Sequence, residues 1–143
     1  MDLKLKDKVV IVTGGSKGIG LGITKALIGE GAIPVMVSRN KESLESVAKE
    51  IENSGADFFY VIADLVDPIQ CKNAVEQVVK KFGRIDGLVN NAGVNDGVSL
   101  ENGNYEDFVS SLHKSLIHYY LMAHHALPEL KKNKGSILNY DFS

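Results

Sequence analysis

The chain of 143 residues has a single cysteine, Cys71. An internal disulfide is excluded, which agrees with a reducing compartment. No apolar run approaches the roughly 18 residues of a membrane-spanning helix. The opening MDLKLKDK lacks the apolar core of a signal peptide. An excess of one charge is missing too: 16 Lys and Arg stand against 18 Asp and Glu, for a net charge of -2. No basic block offers a surface for nucleic acid, and there is no acidic tail. Repeats, low-complexity segments and linkers are likewise absent. What remains is 44% hydrophobic and 24% charged, ordinary for a globular protein and enough for one core. These features predict a single cytoplasmic domain over residues 1–143, with neither membrane nor nucleic acid as partner.

Strand and helix patterns alternate along the chain. Lys8–Thr13 is a β-branched run, as in a strand buried on both faces. A helix from about Gly18 to Glu30 follows and is closed by Gly31. Ala32–Ser38 reads as a second strand, with Pro34 tolerable near its start. Lys41–Ser54 is helical, with Leu44, Val47, Ala48 and Ile51 on one face. Asp57–Ala63 is a third strand. Asp67–Phe82 is a helix, with Asp67 as cap and Pro68 as first residue. Ile85–Gly93 is a fourth strand, and Asn95–Gly103 a polar loop. Tyr105 to about Lys132 reads as one long helix, with a bend near Pro128, and Gly135–Tyr140 as a fifth strand. The alternation predicts an α/β fold: a doubly wound, Rossmann-like parallel sheet with helices on both faces. Right-handed crossovers give the strand order 3-2-1-4-5.

The stretch TGGSKGIGLG, from Thr13 to Gly22, holds five of the 14 glycines. It falls where the first strand meets the first helix, beside the point at which the strand order reverses. Ligands of such sheets bind there. A pyrophosphate at a helix N-terminus meets free N–H groups and the positive end of the dipole. It needs the backbone within hydrogen-bond range, so Cβ atoms would obstruct it. The dinucleotide pattern GxGxxG is not met, since the third glycine would fall on Ile23, and GxxxxGK[ST] fails as well. The motif present is T-G-x-x-x-G-x-G, on Thr13, Gly14, Gly18 and Gly20. A tight strand–helix turn without a ligand is the alternative reading, and NNAG (Asn90–Gly93) at the matching strand end favours the nucleotide.

Together these two motifs resemble the short-chain dehydrogenase/reductase family, and FGRIDGLVNNAGV and ALPELKKNKGSILN extend the likeness along the chain. DKVVIVTGG, EGAIPV and LIHYYLMAHHALP are similar to the branch of bacterial L-fucose dehydrogenases, which oxidise a sugar hydroxyl with a nicotinamide cofactor. The resemblance implies that Gly14, Ser16, Lys17, Gly18, Ile19 and Gly20 hold the pyrophosphate and adenosine ribose. It places Asp64 and Leu65 beside the adenine and Asn91, Ala92 and Gly93 along the nicotinamide-side ribose. Asn90 is expected to be structural. NAD-preferring members carry an acidic residue at the end of the second strand, but this chain has Ser38 and Arg39 there. Arg39 and Lys17 would attract a 2′-phosphate, which predicts NADP, with NAD as the alternative. Solvated surface cations are the other reading.

The chain also departs from the family. Its proton-transfer chemistry uses Ser, a Tyr and Lys in YxxxK, and an Asn on the long helix. The Asn position is Ser115, the serine position falls on Phe142, and YxxxK would lie beyond the end. No catalytic residue is therefore assigned, and the chain reads as the N-terminal, cofactor-binding half of the family fold, without its last strands. A non-catalytic nucleotide- or partner-binding protein, or a truncated fragment, is the alternative function. His113, His118, His124 and His125 have no accompanying ligands at metal spacing. An apolar edge at Ile137, Leu138 and Tyr140, with Leu116, Tyr119, Tyr120 and Ala123 on the long helix, predicts a homo-oligomer.

Overall fold

A computed structural model describes residues 1–140. The elements follow one another as β1 (Val9–Thr13), α1 (Gly18–Gly29), β2 (Ile33–Ser38), α2 (Lys41–Glu52), β3 (Phe59–Ile62) and α3 (Pro68–Phe82). Then come β4 (Gly87–Asn90), α4 (Tyr105–Ser115), α5 (Ile117–Lys132) and β5 (Ser136–Asn139). The five strands form one parallel sheet in the order β3-β2-β1-β4-β5, as the alternation predicts.

The β-branched strands face both ways. Val9 and Ile11 of β1 point to the layer that holds Cys71, Ala74 and Val78 of α3 and Met122 and Ala126 of α5. Val10 and Val12 point oppositely, against Ile23 and Leu27 of α1. Met36 of β2 meets Leu44, Val47 and Ile51 of α2 on that second face. Period-2 strands between two helix layers need apolar residues at every position, and β1 is buried throughout.

Local chemistry sets the helix ends. Asn40 caps α2 by accepting from the Ser43 N–H, Asp67 caps α3 through Ile69, and Asn104 caps α4 through Asp107. Gly83 ends α3 in the left-handed region, at φ 72. At the opposite end of the sheet from the glycine loop, Asp86 gathers partners. Its carboxylate accepts from the Val9 N–H at 2.9 Å and from the Arg84 guanidinium at 2.8 and 2.6 Å.

The long helix of the sequence reading is corrected to two. Leu116, at φ -130 and ψ -49, leaves the helical region and separates α4 from α5. Pro128, the position of the expected bend, lies inside α5. Of the four residues expected to present an apolar face, Leu116 and Tyr120 are exposed. Ala123 instead packs on the core, and the Tyr119 hydroxyl donates to the Tyr140 carbonyl at 2.6 Å. The position of Phe142 lies outside the described residues.

Candidate cofactor cleft

The cleft lies beyond the carboxyl ends of β1 and β4, paired neighbours at the point where the strand order reverses. Thr13 closes β1 and is fully buried. Its hydroxyl accepts from the Asn91 N–H at 2.9 Å and the Ala92 N–H at 3.0 Å. In return, the Asn91 amide donates to the Thr13 carbonyl at 3.0 Å. The two loops are thereby locked side by side, one leading into α1 and the other crossing the floor of the cleft.

The glycines divide by function. Gly14 and Gly18 have positive φ, 66 and 52, which only glycine adopts without strain. A Cβ on Gly18 would meet nothing within 4 Å, so this backbone is open to a visitor. Gly20 differs: a Cβ there would run into the Gly14 carbonyl and come within 2.6 Å of the Asn91 amide nitrogen. Thr24, one turn along α1, donates its buried hydroxyl to the Gly15 carbonyl at 2.9 Å and holds the loop from below.

A cleft of about 610 Å³ opens above these loops. Gly14, Ser16, Lys17, Gly18 and Ile19 line one wall, and Ser38 and Arg39, at the end of β2, line the next. Asp64 and Leu65 follow at the end of β3, and Asn91, Ala92 and Gly93 form the floor. All the residues singled out from the sequence thus converge on one space except Gly20, which does not line it. The Ser16 hydroxyl is partnered with that of Ser43 at 2.8 Å. No side chain caps the N-terminus of α1, and Gly18 and Ile19 of its first turn line the cleft.

Charge around the cleft is uneven. Lys17 and Arg39 are exposed and form no ion pair with a carboxylate among the described residues. Asp64, the acidic residue in the lining, uses one oxygen to accept from the Val66 N–H at 3.1 Å. Open backbone at Gly18, an uncapped helix N-terminus and two unpaired cations fit a phosphate-bearing dinucleotide.

Seven lining residues are not among the cofactor-binding residues expected from the sequence: Val37, Asn40, Ala63, Val66, Val94, Lys114 and His118. Lys114 and His118 stand on either side of the helix break at Leu116. Ser115, the last residue of α4, is tied to the floor, since its hydroxyl donates to the Val94 carbonyl at 3.2 Å and accepts from the Val94 N–H at 3.3 Å. His118 is buried, and burial pushes its pKa down more than its bond to the Lys114 carbonyl raises it. Asn90, as expected, is structural: its amide donates to the Tyr119 carbonyl at 3.2 Å and to Asn139 at 3.1 Å.

A doubly wound α/β sheet with a glycine-loop cleft at its switch point defines the class of nucleotide-binding α/β proteins. Within that class the chain belongs to the short chain dehydrogenase family, whose model matches residues 8–141. Members of this family are oxidoreductases that use NAD or NADP. The 3-oxoacyl-acyl-carrier-protein reductase FabG of Thermotoga maritima is 34% identical over 138 residues, which is 96% of this chain and 56% of that protein. The L-fucose dehydrogenase of Bos taurus is 31% identical over 97% of this chain and 50% of its own length. Among solved structures, the Cj0485 dehydrogenase is 45% identical with a TM-score of 0.89, over 97% of this chain and 53% of that one. The L-sorbose reductase of Gluconobacter frateurii, solved with NADPH and L-sorbose, is 29% identical with a TM-score of 0.91, over 97% and 54% of the two chains. The chain spans about half the length of the curated relatives it matches. No helix among the described residues is long and apolar enough to cross a membrane.

Proposed function

We propose that this chain carries the dinucleotide-binding part of an NADP-linked oxidoreductase that acts on a sugar hydroxyl. The observation that carries the cofactor choice is the end of β2. Ser38 and Arg39 stand there, with Lys17 across the loop, and the end of β2 itself offers no carboxylate to repel a 2′-phosphate. The pyrophosphate would lie over Gly14, Gly18 and the α1 N-terminus, the adenine beside Asp64 and Leu65, and the nicotinamide-side ribose along Asn91, Ala92 and Gly93. Gly20 serves that site indirectly, by letting α1 approach the loop. The bound cofactor supplies the hydride acceptor, while the chain binds and orients it. The sugar substrate rests on the L-fucose dehydrogenase likeness and on the sugar-bound reductase among the structural neighbours. A cytoplasmic, self-associating protein is part of the same reading.

Calorimetry tests the cofactor assignment. NADP is expected to bind tighter than NAD, and Arg39→Ala to weaken NADP by about 1–3 kcal/mol, the scale of a charge-assisted bond, with little effect on NAD. Equal losses for both would remove Arg39 from the 2′-phosphate. A second reading is a nucleotide-binding protein without turnover. Production of NADPH from L-fucose and NADP, lost in Gly18→Asp, would decide against that second reading.

A further inference from the structure

The break between α4 and α5 is bridged by a side chain. Past Leu116 the main-chain ladder changes register, and the Tyr119 N–H donates to the Leu116 carbonyl, three residues back. The Lys114 carbonyl, two residues before the break, takes its bond at 2.9 Å from the imidazole Nε2 of His118. A carbonyl only accepts, so Nε2 carries the proton and Nδ1 keeps a lone pair. Nδ1 is buried without a partner, and the whole residue is 1% exposed. A buried imidazole with one nitrogen unsatisfied is a poor choice for core packing alone. What this one does is join the last turn of α4 to the first turn of α5.

Both ends of that bond lie at the cleft, since Lys114 and His118 line it together. Between them stands Ser115, whose hydroxyl brackets the main chain of Val94. Val94 directly follows the Asn91–Gly93 floor. The path is short: imidazole to Lys114 carbonyl, the adjacent Ser115, then Val94 and the floor.

We propose that His118 is a positioning residue for the floor of the cleft. Its imidazole clasps the helix break and so holds Ser115 where it fixes Val94. The inference rests on the dinucleotide reading of the cleft, in which this floor meets the nicotinamide half of the cofactor. His118 then acts on that half alone, because the adenine and 2′-phosphate contacts belong to β2, β3 and the glycine loop.

Two probes separate the halves. Adenosine 2′,5′-bisphosphate carries only the adenine side, and NADP carries both. His118→Leu removes the clasp and is expected to weaken NADP about tenfold by calorimetry, the scale of one lost hydrogen bond, while the bisphosphate changes less than about twofold. His118→Asn is the rescue. An asparagine amide already makes the same four-residue bond in this chain, from Asn133 to the Glu129 carbonyl at 2.8 Å. It should bring NADP within about threefold of the parent. If His118→Leu does not fold, Ser115→Ala decides, and it should show the same selective loss. Equal loss of both probes, or no loss of NADP, overturns the assignment. Failure of the parent chain to bind either probe would instead count against the dinucleotide reading itself.

Discussion

Two glycines at the start of α1, Gly18 and Gly20, answer to different physics. Gly18 adopts a positive φ over open space, whereas Gly20 has the Gly14 carbonyl where its Cβ would be. A methyl group at Gly20 must push α1 off the strand ends, and overpacking of this kind costs typically 1–3 kcal/mol. Gly20→Ala should therefore lower stability by about 2 kcal/mol in urea unfolding, and Gly18→Ala by about 1 kcal/mol through backbone strain. Equal values for the two would show that the loop relaxes freely. Asp86 is a second residue with a measurable signature. Burial alone would raise its carboxyl pKa, but hydrogen bonds from Arg84 and the Val9 N–H, and the charges of Arg84 and Lys8, outweigh it and hold the group below its ordinary 3.8. The folded state then binds fewer protons than the unfolded one. The stability Asp86 contributes is present above the ordinary carboxylate pKa and is lost as pH falls through the folded value. Asp86→Asn should cost about 1–2 kcal/mol at pH 7, with the gap to the parent narrowing below about pH 4. A gap that does not change with pH would assign the effect to shape rather than charge.

At the scale of elements, the strands and the first three helices follow from local pattern, and the fourth and fifth do not. α2 buries Leu44, Val47, Ala48 and Ile51, the face that its spacing selects. The apolar residues of α4 and α5 lie on either side of Leu116 and support one continuous helix as well as two. At the break Ser115 bonds to Val94, a contact that needs the floor of the cleft in place, and His118 bonds to the Lys114 carbonyl four residues back. The two sheet edges also differ. On β3, Phe59 is covered by Phe82, edge-on at 5.9 Å, and by the Lys81 ammonium at 5.8 Å. On β5, Ile137 and Leu138 are 42% and 58% exposed. No charge or proline of its own protects that strand.

For the molecule as a whole, this asymmetry has a consequence for assembly. An open apolar edge with free main-chain groups templates another strand, and exposed Tyr120 and Leu116 add apolar surface on α5 and before it. The chain is expected to self-associate, with light scattering giving at least twice the chain mass at micromolar concentration. Leu138→Lys or Tyr120→Asp should shift it toward monomer. A cooperatively folding monomer of the parent chain under those conditions would contradict this.

The alternating pattern, the turn chemistry and the glycine motif determined by themselves the strand order and which residues meet at the strand ends. Each of those rests on short-range rules: period 2 against period 3.6, caps at helix starts, right-handed crossovers. Thr13, Gly14 and Asn91 are legible because a strand end and the loop after it are contiguous in sequence. Only the tertiary structure decided what depends on distant pairs. It separated the role of Gly20 from that of Gly18, since the carbonyl that would collide with a Cβ belongs to another turn of the loop. It also turned one helix into two at Leu116, where Ser115 bonds to Val94, 21 residues away along the chain, a partner that no local spacing records.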